Sequence, residues 1–252
     1  MRRLLTAAVT VACTLCVGIS ASFAQDGPPQ FRPVEMWVCN FNNGKDQGDM
    51  DKVYEDIVAE AGDSAYSAFQ LNSYFRVNQE FDFIYLGAWA DGSTMGASLG
   101  GEMAGDSDAG EGWEETVTCP ASLMYASTWI NQPGTGDGSG DFVLSIADCN
   151  VAHGSSNAQA LGALRRYSDY ATANGSNVGT VVWFPAFGGG ATEFDFKVAN
   201  VYSDAQHFGD SMQWFTENQA YIARRNMTEG IVSCDSPRVY GGRTIMNNLQ
   251  PN

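Results

Sequence analysis

The chain has 252 residues, 29 acidic side chains against 13 lysines and arginines, and a formal charge of -16. So acidic a balance argues against nucleic acid and anionic membrane surfaces as partners. The length accommodates one large domain or two of ordinary size.

Arg2 and Arg3, an uncharged apolar run over 4–19, and Ser22-Phe23-Ala24 together read as a signal peptide over 1–24, cleaved near Ala24. The run is too short to span a bilayer comfortably. The expected location is periplasmic or extracellular. Loss of the two leader arginines takes the charge from -16 to -18. Residues 25–33 read as an N-terminal linker and 34–41 as a strand. Met50, Val53, Ile57, Val58 and Ala61 recur at helical spacing, and Gly62 can end that helix in the left-handed conformation. A second strand is expected over 65–77. A third shows period-two alternation, with Phe81, Phe83, Tyr85 and Trp89 on one face and Asp82, Ile84, Leu86 and Ala88 on the other. Asp91 stands where an N-cap would, before a glycine-rich and therefore weak helix. The acidic stretch 105–112 reads as a mobile loop, and a last strand carries Cys119. Residues 131–141, glycine-rich with Pro133, read as a linker.

The same series then returns. A strand over 142–151 precedes a helix with Leu161, Leu164, Tyr167 and Ala171 on one face, ended by Asn174-Gly175. A strand over 177–187 follows, then one with Phe194, Phe196, Val198 and Tyr202 on a face. Asp204 caps a helix bearing Phe208, Met212 and Phe215, a last strand carries Cys234, and 246–252 is a tail. Local words match in order. Cys39-Asn40 returns as Cys149-Asn150, Glu80-Phe81-Asp82-Phe83 as Glu193-Phe194-Asp195-Phe196, and Val117-Thr118-Cys119 as Val232-Ser233-Cys234. The offset rises only from 110 through 113 to 115, which reads as duplication. Each copy, 34–130 and 142–245, has the order βαββαβ of a ferredoxin-like unit.

Tandem βαββαβ copies with aromatic third strands resemble the dimeric α+β barrel superfamily. The expected fold class is therefore α+β: two tandem ferredoxin-like repeats packed sheet to sheet as a single-chain dimeric α+β barrel. The words around Cys149 and Cys234 are also similar to those of uncharacterised exported bacterial proteins. The superfamily resemblance implies several chemistries, among them cofactor-independent oxygenases, isomerases and haem proteins, so fold alone selects none. In a ferredoxin-like unit the first and last strands are antiparallel neighbours. Cys39 is then expected to bond Cys119, and Cys149 to bond Cys234, one disulfide per repeat. An even number of cysteines in an exported chain fits this pairing. Cys13 and Cys16 fall inside the leader; among the four cysteines that remain, Cys39, Cys119, Cys149 and Cys234, no CxxC pair occurs, and no metal site is expected.

Candidate site residues concentrate in the second copy. Asp195 and its counterpart Asp82 each sit among aromatics on a central strand. Burial there would make either an acid-base group or a ligand acceptor; the alternative is a carboxylate at the strand's open end, in water or paired with Lys197. His153 is a candidate base or haem ligand, or an exposed loop histidine; His207 reads as a surface residue. Trp183 and Phe187 belong to an aromatic run that is more polar in the first copy, and Lys197 stands where that copy has Ile84. Asp195 and His153 are thus the catalytic candidates, with Trp183, Phe187, Lys197 and Asp82 as ligand-binding candidates. No cofactor is expected. The functional expectation is an exported small-molecule-binding or accessory protein. The alternative is a cofactor-independent oxygenase or isomerase of the barrel type, and a haem-binding barrel is a further one.

Overall fold

The computed structural model describes residues 30–75, 80–104, 108–132 and 140–249. The signal-peptide reading and residues 133–139 of the expected linker lie outside them. The elements are β1 (Arg32–Phe41), α1 (Gln47–Ala61), β2 (Tyr66–Phe75), β3 (Phe83–Trp89), α2 (Gly92–Ala104), α3 (Asp108–Thr116) and β4 (Val117–Asn131). The second half repeats the order with β5 (Phe142–Val151), α4 (Asn157–Ala173), β6 (Gly179–Phe187), β7 (Phe196–Tyr202), α5 (Ala205–Glu217), α6 (Ala220–Thr228), β8 (Val232–Cys234) and β9 (Arg238–Asn247).

The strands run in the order β7-β6-β4-β1-β3-β2-β9-β5, and β5 pairs with β7 to close an eight-stranded barrel; β8 pairs with the end of β5, at residues 149–151, as a short extra strand. Every neighbouring pair is antiparallel. It follows that β1, β2, β5 and β6 all point the same way along the barrel. Within the first half the order is β4-β1-β3-β2, within the second β9-β5-β7-β6, and the halves join through β4–β6 and β2–β9. Closure leaves the eight barrel strands without a free edge.

Period-two alternation divides the side chains. Val34, Met36, Ile84, Leu86, Tyr125, Leu144, Ile146, Val181, Trp183 and Tyr240 fill the barrel interior. The opposite faces pack under helices in two separate layers. Met50, Val53 and Tyr54 of α1 cover Phe83, Tyr85 and Trp89, and Leu161 and Leu164 of α4 cover Val182, Phe196 and Val198. Cys39–Cys119 and Cys149–Cys234 are both bonded, as the pairing of first and last strands requires. Asp91 and Asp204 accept the amides of Thr94 and His207, at 2.8 and 2.7 Å, and cap their helices.

Several expectations need correction. Phe81 and Phe194 pack inside the barrel and not with Phe83 and Phe196. The strands begin only at Phe83 and Phe196, so the alternation does not extend back through Asp82 and Asp195. The stretch 105–112, read as a mobile loop, contributes its end to α3, where Trp113 packs on Trp37 and Tyr85 at 6.0 and 5.0 Å. Aromatic packing there offsets a poor helix propensity. The expected last strand of the second half is split into β8 and β9, with Pro237 in the gap, where the missing N–H cannot join a ladder. Strands β1 and β9 also reach two residues beyond the expected repeat boundaries, to Arg32 and Asn247.

Candidate functional site

One end of the barrel holds a cavity of about 470 Å³. It lies where β1, β5 and β6 finish and β3, β4, β7 and β9 begin. The opposite end is filled by Phe69 and Phe142, 5.5 Å apart. The two halves contribute unlike walls. From the first come Met36 and Val38 of β1, Ile84 of β3 and Leu123 of β4. From the second come Asp148 of β5, Lys197 of β7 and Arg238 of β9. These are matched positions: subtracting the local repeat offsets of 110, 113 and 115 carries Asp148 to Val38, Lys197 to Ile84 and Arg238 to Leu123. Tyr125 and Tyr240, themselves 115 apart, line the cavity between the walls and are each 2% exposed.

Strand register builds the charged wall. Asp148 lies directly across from Lys197 in the β5–β7 pair, and Ile146 lies across from Arg238 in the β5–β9 pair. One carboxylate thereby serves two cations: Lys197 Nζ donates to Asp148 Oδ1, and Arg238 Nη2 lies 3.1 Å from Asp148 Oδ2. Arg238 Nη1 also reaches Asp235, at 2.8 Å. The Lys197 side chain is only 12% exposed, and its ammonium lies 4.1 Å over the Phe194 ring. Burial pulls the Lys197 pKa below its usual value, while the hydrogen bond to Asp148 opposes the fall. The Tyr125 phenol is pushed up, first by burial and then by the charge of Asp148.

A glycine-rich loop over 188–194 borders the cavity. Gly188 has φ +84°, and a Cβ there would lie 2.3 Å from the Ser122 carbonyl of β4. Only glycine lets this loop cross β4 so closely.

Of the ligand-binding candidates, Lys197 and Phe187 line the cavity, with Phe187 72% exposed at its rim. Trp183 is buried deeper in the barrel, its ring 6.2 Å from that of Tyr125. The remaining candidates lie elsewhere. Asp82 and Asp195 are exposed, and each closes the start of its strand. Asp82 Oδ2 accepts the Phe41 amide at 2.8 Å, and Asp195 Oδ2 accepts the Val151 amide at 2.7 Å. Of the two readings of these carboxylates the open-end one holds, because both precede their strands and meet water; Lys197 pairs with Asp148 and not with Asp195. His153 is exposed on the loop before α4. His207 Nδ1 accepts from the Ser203 amide at 3.1 Å, and its ring packs edge-on to Tyr202.

Sequence reasoning passed over Asp148, Arg238, Tyr125 and Tyr240. Asp148 precedes a recurring cysteine, and its replacement of Val38 was a readable sign. It also passed over a second constellation, under the helices of the first half. There Tyr66 donates to Glu35 Oε1 at 2.6 Å and shares a 2.7 Å hydrogen bond with Tyr85, while Trp37 Nε1 donates to Glu35 Oε2 at 2.8 Å. Gly87 makes room for it, because a Cβ would lie 2.1 Å from the Tyr66 oxygen. The second half has Ser145, Gly179 and Val198 at the positions of Glu35, Tyr66 and Tyr85, and so has no such network. Neither the barrel-mouth cavity nor the groove beside α6 is lined by a histidine.

No family model and no curated protein matches the chain. Solved structures do. A candidate monooxygenase from Fusobacterium nucleatum superimposes with a TM-score of 0.56 at 8% identity, over 86% of this chain and 93% of that one. Chlorite dismutase from Candidatus Nitrospira defluvii, in complex with imidazole, gives 0.51 at 10% identity over 84% and 90%. An anthrone oxidase-like protein gives 0.51 at 11% identity over 88% and 96%. At such identities the likeness is one of fold: the chain shares the antiparallel α+β barrel of chlorite dismutase-like and dimeric α+β barrel proteins.

Proposed function

We propose that this is an exported binding protein, built by duplication of a ferredoxin-like unit, that holds a small amphipathic molecule in the mouth of its barrel. The observation that carries the reading is the one-sided cavity. The apolar wall of Met36, Val38, Ile84 and Leu123 suits a hydrocarbon or aromatic body, and the facing Lys197–Asp148–Arg238 wall suits a polar group. Tyr125 and Tyr240 supply hydroxyls between them. Specialisation after duplication fell on the second copy, as the substitution of Ile84 by Lys197 at the matched position indicates. Asp195 and His153, both outside the cavity, have no role in this reading. The disulfides agree with an oxidising compartment. No described helix is long and apolar enough to cross a membrane.

Native mass spectrometry of protein purified from its own source tests the proposal. A retained small molecule is expected in the wild type and is expected to be lost in Lys197→Met but kept in the exposed control Lys52→Met. Equal retention in both variants would refute a ligand in the barrel mouth.

A second reading, an oxygenase- or isomerase-like enzyme, is favoured by the Glu35–Tyr66–Tyr85 network. A carboxylate joined to a phenol at 2.6 Å is an acid-base pair in waiting. Under that reading Glu35→Gln abolishes conversion of a substrate held under the helices of the first half, on the opposite face of the sheet from the barrel mouth, and leaves retention in the mouth intact. Under the first reading Glu35→Gln changes neither.

A further inference from the structure

The two helical layers lie half a turn apart around the barrel, because α1 covers the β1–β3 side and α4 the β5–β7 side of an eight-strand ring. Their charges are opposite. In the first half α1 carries five acids and one lysine, and α3 four acids and no cation. In the second half α4 and α6, which pack together, carry Arg165, Arg166, Arg224 and Arg225 against one acid, Asp169. Four of the chain's 13 cations therefore sit on two helices of an otherwise acidic molecule. Among the described residues Arg165, Arg166 and Arg224 make no ion pair, and Arg225 has only an exposed 3.9 Å contact with Glu229.

Both faces also have an apolar centre. Tyr221 and Ile222 of α6 are 51% and 42% exposed, beside a groove lined by Phe215, Arg224, Arg225 and Thr228, with Glu229 and Asp235 also on its wall. On α1, Val58 is 40% exposed, with Glu55, Asp56 and Glu60 exposed around it. Aromatic and arginine side chains are what protein interfaces enrich.

We propose that the α4/α6 face docks on the α1/α3 face of a second copy of this chain. The contact is heterologous: a patch on one copy meets a different patch on the next, so each copy keeps one face open and assembly continues into chains or closed rings. Ionic strength controls it with a maximum. At about 0.01 M salt the Debye length is about 30 Å, and the strongly negative net charge keeps copies apart. At about 0.15 M it is about 8 Å, which screens that repulsion and leaves charges in contact paired. At about 1 M it is about 3 Å, and the paired charges are weakened as well.

Sedimentation velocity of the purified protein over a concentration series tests this. The weight-average mass is expected to rise with concentration at about 0.15 M salt and to rise less at about 0.01 M and about 1 M. The variants Arg166→Glu/Arg225→Glu and Glu55→Arg/Asp56→Arg change only exposed side chains, and circular dichroism should show both folded. Each alone is expected to stay monomeric. An equimolar mixture is expected to associate again, because the two introduced glutamates of one copy meet the two introduced arginines of the other while the native faces pair as before. A wild type that stays monomeric to about 1 mM overturns the proposal. So does association that survives either charge reversal, or a mixture that remains monomeric.

Discussion

Asp148→Asn probes the charged wall most directly. Asp148 is 26% exposed and is the shared partner of Lys197, 12% exposed, and Arg238, 20% exposed. At an effective permittivity of about 20, unit charges about 4 Å apart attract by about 4 kcal/mol. Asp235 still pairs with Arg238 in the variant, and residual exposure of the site screens part of the rest. The loss should be about 2 kcal/mol, most of it the penalty of leaving Lys197 facing an apolar barrel with no partner. The sign of its pH dependence follows from Lys197. Burial holds its folded pKa below the usual value of 10.5, so between the two values the unfolded chain binds the proton more tightly and stability rises with pH. Removing Asp148 takes away the hydrogen bond that supports the ammonium, lowers the folded value further and widens that window toward neutrality. Urea unfolding should therefore show a deficit at pH 7 that shrinks toward about pH 9.5. The double variant Asp148→Leu/Lys197→Met should return to within about 1 kcal/mol of wild type, because an apolar pair replaces a buried ionic one. A deficit that is absent, or equal at both pH values, would refute the account of the wall.

Gly188→Ala should lower the unfolding free energy by about 2 kcal/mol or more, since it combines positive φ with contact against Ser122, whereas Gly190→Ala, with open space around it, should lose only about 1; paired urea titrations measure the difference. Cys39→Ser/Cys119→Ser opens a loop with a sequence separation of 80, and the chain-entropy model places the loss near 4.5 kcal/mol at most, readable as a fall in denaturation midpoint. Gly87→Ala should break the Tyr66–Glu35 hydrogen bond and destabilise by about 2 kcal/mol, with a changed near-ultraviolet dichroism from the surrounding aromatics. Burial raises the pKa of Tyr54, Tyr66 and Tyr125, so their contribution to stability is complete below about pH 10 and falls as pH climbs toward their folded values. Phenolate absorbance should accordingly show a class of tyrosines that ionises only as the chain unfolds.

The cysteine pairing, and the order of elements apart from the added helices α3 and α6 and the split of β8 from β9, were legible because they depend on local patterns that occur twice. Cys149 falls opposite Cys234 as a direct consequence of antiparallel first and last strands. The position of Asp195 was legible only as one of two alternatives, buried on the strand or open to water at its end. Its sequence neighbours are aromatics on opposite sides of the sheet, Phe194 partly buried and Phe196 fully buried, and alternation alone cannot say where a strand begins. One hydrogen bond decides it: the carboxylate accepts Val151 N and ends the sheet, and Asp82 does the same with Phe41 N. The recurring Glu-Phe-Asp-Phe word thus marks strand starts.

The charged wall escaped notice for a related reason. Lys197, Asp148 and Arg238 lie on three strands, and only the register between those strands brings them together. The comparison that finds them is positional. Val38, Ile84 and Leu123 are three apolar residues pointing into one barrel mouth, and their counterparts are one acid and two bases. Replacement of a single apolar residue by a charge inside a barrel would be expensive. Replacement of all three in a set with mutually neutralising charges lets each member satisfy another. Ionic pairs of this kind add little to stability over the apolar set they replaced. Charges at one rim of a cavity, with an apolar set at the other, therefore fit the proposed amphipathic ligand better than the needs of the fold.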